Sequence, residues 1–348
     1  MIKHGGDIYS YQYSGEILDF SANISPLGVP DSAKRAVMNA FQSLEHYPDP
    51  KCGKLRRALG KYHNISPEKI VCGNGAADII FRAAKALSPK SILIPSPTFG
   101  EYGEAFEQQG AKVKYYAIPY PFDIGKDLID TLAAGDYDLL ILCNPNNPTG
   151  KIINEKILHR IAELSEEKGF RILLDECFFD MTDYADLSMI NHINNCRSLI
   201  IIKSLTKMYA LAGLRIGYAI SSDTELIEKI SLTGQPWPVN TLASEAACAV
   251  LGDREYRDRF LELIGEEKSF LYSELAGLGF EVWYPAANYV FFRAKGFSRL
   301  DNELKKQGIL IRCCDDYRGL SHEYYRAAVR LHEDNAYLIK ILRKIVMG

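Results

Sequence analysis

No apolar run in the chain approaches eighteen residues, so nothing in it is long enough to cross a bilayer as a helix. No five like charges follow one another, and the balance of 41 basic against 44 acidic side chains gives a net charge of −3. The electrostatic footprint of a nucleic-acid or acidic-membrane binder is missing. There is no CxxC pair and no His/Cys cluster with zinc-ligand spacing, so no metal is expected. The eight cysteines (52, 72, 143, 177, 196, 248, 313 and 314) stand singly apart from the last two, and several fall in apolar runs. They read as reduced, buried thiols of a cytoplasmic enzyme. The opening stretch, Met1 to Asp7, has no apolar core of a signal peptide. Repeats and low-complexity tracts are also missing, which leaves an enzyme acting on a small molecule as the expectation.

What the chain does have is length and rhythm. Its 348 residues suggest about two domains with ample core. From Lys69 to Tyr218, β-branched runs alternate with amphipathic helical stretches: 69–72, 91–94, 112–116, 138–143, 171–174, 199–202 and 215–220. Continuous apolar strands separated by helices predict an α/β unit with a mostly parallel seven-stranded sheet covered on both faces. Past Leu251 the pattern changes to a long helix, 254–275, then strands at 280–283, 289–292, 310–312 and 325–329, and a helix from Asn335. That grouping predicts a smaller α+β domain. The expected division is a large domain over 46–245 and a small one built from 1–45 and 246–348, with a helix near 31–44 packed against the latter.

Several chemistry-bearing residues sit where strands end. Lys207 follows the apolar run 198–203, and Arg215 comes eight residues later. Asp175 closes the run 171–174. Cys143-Asn-Pro-Asn-Asn147-Pro-Thr-Gly150 follows the strand at 138–142, where ligand-facing loops of open parallel sheets emerge. Gly73-Asn-Gly75-Ala76-Ala77-Asp78 lies between a strand and a helix, so its backbone N–H groups are placed to cap a phosphate. It fails as a dinucleotide fingerprint because Asp78 stands where the last glycine belongs. Bland alternatives exist for each: a solvated loop lysine, an Asn/Pro turn, a surface arginine.

Together these segments resemble the fold-type I pyridoxal-phosphate enzymes, and the resemblance runs from about His4 to Asn335. It implies pyridoxal 5'-phosphate as cofactor, carried on Lys207, with Asp175 protonating the pyridine nitrogen. Asn147 would donate to the ring's phenolic oxygen. Gly75, Ala76, Ala77, Ser204 and Arg215 would hold the phosphate, and Tyr102 of Pro97-Thr-Phe-Gly-Glu-Tyr102 would stack on the ring. Tyr47 of Tyr47-Pro-Asp-Pro50 would reach a neighbouring subunit's site, implying a homodimer with shared active sites. Arg326 aligns with the arginine that clamps a substrate carboxylate, a task suited to guanidinium geometry. Many aminotransferases carry a tyrosine three residues after the aspartate, where this chain has Phe178.

Within that superfamily the nearest branches are threonine-phosphate decarboxylase and histidinol-phosphate aminotransferase, both acting on phosphorylated amino compounds. His4-Gly5-Gly6, the segment Leu18 to Gly28 with Asn23, Phe178 and Pro236-Trp237-Pro238 resemble the decarboxylase more. The implied substrate is O-phosphothreonine or O-phosphoserine, converted to a phosphorylated amino alcohol for a corrinoid nucleotide loop, with Asn23, His4 and Arg312 on the substrate side. The aminotransferase and a non-catalytic cofactor-binding regulator are the alternatives.

Overall fold

The structure is a computed structural model that describes residues 4–10, 13 and 15–347. Residues 1–3, at the start of the stretch read for an export signal, lie outside the description.

The chain opens with β1 (Leu18–Asp19) and α1 (Asp31–Ala40), then α2 (Gly53–His63) leads into the main sheet. Its strands are β2 (Ile70–Gly73), β3 (Ser91–Ser96), β4 (Lys112–Ala117), β5 (Leu139–Cys143), β6 (Arg171–Asp175), β7 (Leu199–Ser204) and β8 (Gly217–Ile220), in spatial order β2-β8-β7-β6-β5-β3-β4. β8 runs antiparallel to both β2 and β7, while β3 through β7 pair in parallel. Helices α3 (Gly75–Leu87), α4 (Glu101–Glu107), α5 (Lys126–Ala134), α6 (Glu155–Lys168), α7 (Thr224–Leu232) and α8 (Thr241–Val250) cover it. Leu140 and Leu142 of β5 join the core that includes α2, α5, α6 and α8, while Leu139 and Ile141 join the core with α3, α4 and α7. Successive strand residues point to opposite faces, so a sheet buried on both must be apolar throughout. β4, at the edge, is the exception and stays partly exposed along its length.

The remaining elements are α9 (Arg254–Gly277), β9 (Glu281–Trp283), β10 (Tyr289–Arg293), α10 (Leu300–Lys305), β11 (Ile309–Leu310), β12 (Arg312–Cys313), β13 (Tyr324–Ala328) and α11 (His332–Met347). A four-stranded antiparallel sheet has the order β12-β13-β10-β9, and β1 pairs in parallel with β11.

Some expectations shift. The run at 310–312 divides between β11 and β12, which belong to different sheets. Arg215 is not in a strand: its φ of 57° is left-handed, and β8 begins at Gly217. The first helix stops at Ala40 and continues as a 3₁₀ turn, Phe41–Ser43. That helix lies along α8, and Ser32 Oγ donates to Asp253 Oδ2 at the start of α9 (2.5 Å). Residue 245, the expected end of the large domain, lies within α8. No helix among the described residues is long and apolar enough to cross a membrane.

Candidate active site

A cavity of about 830 Å³ opens beyond the C-terminal ends of β3, β5, β6 and β7, the face of an open parallel sheet where ligands bind. Asp175 ends β6 and faces it. Its Oδ2 accepts from the Tyr102 hydroxyl at 2.7 Å and its Oδ1 from the Cys177 backbone N–H at 2.8 Å. Burial, with the Asp175 charge second, pushes the Tyr102 phenol well above its ordinary range, so it remains a donor. Lys207 lies across the cavity, three residues past the end of β7. Burial, then the nearby Arg326 charge, push its ammonium down to about 8. Lowered that far, about a tenth of the side chain is a neutral, nucleophilic amine at pH 7, far more than for a free lysine.

In the same cavity, Ala76 and Ala77 lie in the first turn of α3, whose N–H groups have no partner within the helix. Gly75 adopts a φ of +86°, and a Cβ there would lie 2.6 Å from Arg215 Nη2. A Cβ on Gly217 would come within 2.4 Å of the Ala76 nitrogen. Both glycines are needed to bring helix start and guanidinium together. Ser204 and Thr206 share a hydroxyl hydrogen bond of 2.7 Å on the same wall. Helix N–H groups, hydroxyls and a guanidinium form the donor set a dianionic phosphate requires, while Lys207 and Asp175 stand ready for an aldehyde and a ring nitrogen. The residues present therefore fit pyridoxal phosphate.

On the substrate side, Arg326 of β13 is 5% exposed. Its Nη1 donates to Asn147 Oδ1 (2.5 Å) and its Nη2 to the Ser21 carbonyl (2.8 Å), while Nε has no partner. Tyr317 also donates to Asn147 Oδ1, at 3.2 Å, so the amide NH₂ is the half of Asn147 left to donate elsewhere. Asn23 is buried, with its Oδ1 unpartnered. Arg312 Nη2 donates to both Asp316 carboxylate oxygens, at 2.8 Å each. His4 Nε2 lies 3.0 Å from Glu101 Oε1. The His4-Gly5-Gly6 opening is pinned rather than loose: Gly6 N–H donates to Ser21 Oγ at 2.8 Å, and a Cβ on Gly5 would strike the Ser21 carbonyl at 2.0 Å.

The structure thus gathers Ala76, Ala77, Tyr102, Asn147, Asp175, Ser204, Lys207, Arg215, His4, Asn23, Arg312 and Arg326 around one cavity, with Gly75 just behind its wall. Tyr47 is outside it, 79% exposed and stacked on Trp237 at 4.4 Å. Tyr102, expected to stack on the ring, has its hydroxyl committed to Asp175. Phe99, edge-on to it at 5.5 Å, is the more open aromatic on the wall. Phe99, Thr206 and Arg318, whose guanidinium lies 4.1 Å from the Tyr115 ring centre, were not singled out from the sequence. Phe99 lies within Pro97 to Tyr102 and Thr206 directly before Lys207, but Arg318 had no local signal. Phe178 is buried against Tyr289 (5.1 Å between rings) and offers no hydroxyl.

The family model described as aminotransferase class I and II matches residues 15–336. The threonine-phosphate decarboxylase of Salmonella typhimurium is 34% identical over 337 residues, covering 96% of this chain and 92% of that one. Among solved structures, the histidinol-phosphate aminotransferase from Clostridium acetobutylicum superposes with a TM-score of 0.90 at 32% identity, covering 95% of this chain and 99% of that one. The L-threonine-O-3-phosphate decarboxylase from Porphyromonas gingivalis does so at 0.83 and 25% identity, covering 95% and 100%. Members of the matched family use pyridoxal phosphate. The match over residues 15–336 and the 34% identical relative, on a sheet of this order, make the chain a member of the class I and II aminotransferase family, an enzyme of the fold-type I pyridoxal-phosphate architecture.

Proposed function

We propose that the chain decarboxylates a phosphorylated amino acid, O-phosphothreonine or O-phosphoserine, to a phosphorylated amino alcohol. The observation that carries this reading is the number of cationic groups on one cavity: Arg326 and Arg312, register partners on β13 and β12, with His4 also on the wall. Such an arrangement suits a substrate with more than one anionic group. The Salmonella relative of that name supports the choice of reaction, as does Phe178 in place of a tyrosine.

When bound, the cofactor supplies an electron sink conjugated with the substrate Cα. The protein's own groups do the rest. Asp175, held by Tyr102 and the Cys177 N–H, keeps the proton on the pyridine nitrogen. Ala76, Ala77, Ser204, Thr206 and Arg215 fix the phosphate. Arg326 orients the substrate carboxylate, and Arg312 and His4 hold the distal phosphate once Asp316 and Glu101 yield. Anchoring the substrate would fix which Cα bond is labilised. With the carboxylate presented, the Cα–COO⁻ bond would break with its electron pair left to the sink, CO₂ would leave, and Lys207 as its ammonium would give a proton to Cα.

Amino-group transfer on histidinol phosphate is the second reading, favoured by the likeness to the Clostridium structure. The products separate the two. Incubation with O-phosphothreonine or O-phosphoserine and no oxo acid is expected to release CO₂ and a phosphorylated amino alcohol. Rapid glutamate formation from histidinol phosphate and 2-oxoglutarate, with no CO₂ from either phosphoamino acid, would reverse the assignment.

A further inference from the structure

Away from the cavity, Glu155 and His159 face each other across one turn of α6, with Glu155 Oε1 and His159 Nε2 3.5 Å apart. His192 arrives from the 3₁₀ segment Met189–Asn195, its ring edge-on to His159 at 4.3 Å between centroids and 84° between planes. One ligand atom from each residue lies within 4.8 Å of the other two. Around a tetrahedral zinc, with Zn–N of about 2.0–2.1 Å, ligand atoms sit roughly 3.3 Å from one another. The carboxylate and first imidazole are already near that spacing, and the second imidazole lies within 4.8 Å of both. No hydrogen bond among the described residues ties either imidazole elsewhere.

We propose that Glu155, His159 and His192 form a binding site for a divalent first-row transition ion, with Zn²⁺ as the reference case. Two imidazoles and one carboxylate suit zinc, cobalt and nickel rather than magnesium or calcium. Partial exposure of His159 and Glu155 leaves a fourth position for water. The site is structural in character. It ties α6 to the segment between β6 and β7, the connection that joins Asp175 to the strand leading to Lys207. That connection holds only short 3₁₀ turns between residues 179 and 195, so a clip there restrains a stretch with little secondary structure of its own. Sequence spacing gave no hint, because two ligands lie on one helix turn and the third comes from a distant segment.

The test uses the holoenzyme freed of metal by chelator and dialysis, titrated calorimetrically with ZnCl₂ and, separately, CoCl₂. One site per chain is expected, weakened at least about tenfold in His192→Ala and in His159→Ala and absent in the double variant, since losing a ligand weighs no less than losing its outer partner. ZnCl₂ is expected to raise the wild-type melting temperature but not that of His192→Ala. Glu155→Gln, which keeps both imidazoles, serves if an alanine variant folds poorly, and is expected to weaken binding as well. Turnover stays the same with and without the ion. Equal binding in wild type and double variant, or binding only at millimolar ZnCl₂, overturns the proposal.

Discussion

At the scale of single residues, the site works by setting protonation states. Lys207 carries its proton below a pH of about 8 and loses it above, far earlier than a free lysine. Only the neutral amine attacks an aldehyde, so uptake of pyridoxal phosphate by the cofactor-free protein is expected to rise about tenfold per pH unit up to about 8 and then level off. Arg326 is the largest charge depressing it, so Arg326→Met moves the midpoint upward. Stopped-flow absorbance against pH reads both, and a wild-type rate still climbing past pH 9 would contradict the assignment. Tyr102→Phe removes one of the two donors to Asp175 and leaves a buried carboxylate oxygen short of a partner, a loss of about 1–3 kcal/mol. Turnover is expected to fall roughly fivefold or more with cofactor still bound; unchanged turnover would make Tyr102 a wall residue only. Lys207, Asp175 and Asn147 were legible because each follows a recognisable apolar strand. The Tyr102–Asp175 contact was not, since it depends on how α4 lies against β6.

At the scale of elements, the strands were the most legible part: runs of Ile, Leu and Val buried on both faces have no helical period to confuse them. Short pieces were the least legible. Ile311 breaks one apolar run into β11 and β12, a choice made by pairing partners rather than by propensity. The same dependence on neighbours appears where β8 meets α3. Gly217→Ala would push a methyl group against the Ala76 nitrogen, displacing the first-turn N–H groups of α3 beside the cavity, those proposed to hold the cofactor phosphate. Overpacking of this kind typically lowers stability by about 1–3 kcal/mol. We expect a lower melting temperature and, measured by equilibrium dialysis, a larger dissociation constant for pyridoxal phosphate. A variant that melts early yet keeps full cofactor affinity would show that the helix start tolerates the shift.

At the scale of the whole molecule, Tyr47 and Trp237 form an exposed aromatic pair that the chain's own cavity does not use. If Tyr47 completes a neighbour's site, mixing Tyr47→Ala with Lys207→Ala subunits is expected to generate activity beyond the sum of the separate variants. The mixed pair contains one site with both residues intact. No gain after subunit exchange would confine Tyr47 to its own chain. A second consequence lies in the strand order. Among the described strands β2 pairs with β8 alone, and the proposed phosphate cup is shared between the helix after β2 and the loop before β8. The halves of the cup are therefore made early and late in synthesis and meet only when the last strand slots between β2 and β7. Until β8 is in place, a growing chain lacks the completed cup. Ligand bound to the native state alone draws the folding equilibrium forward, so the vitamin derivative acts as a lock on the finished sheet rather than as a seed for it.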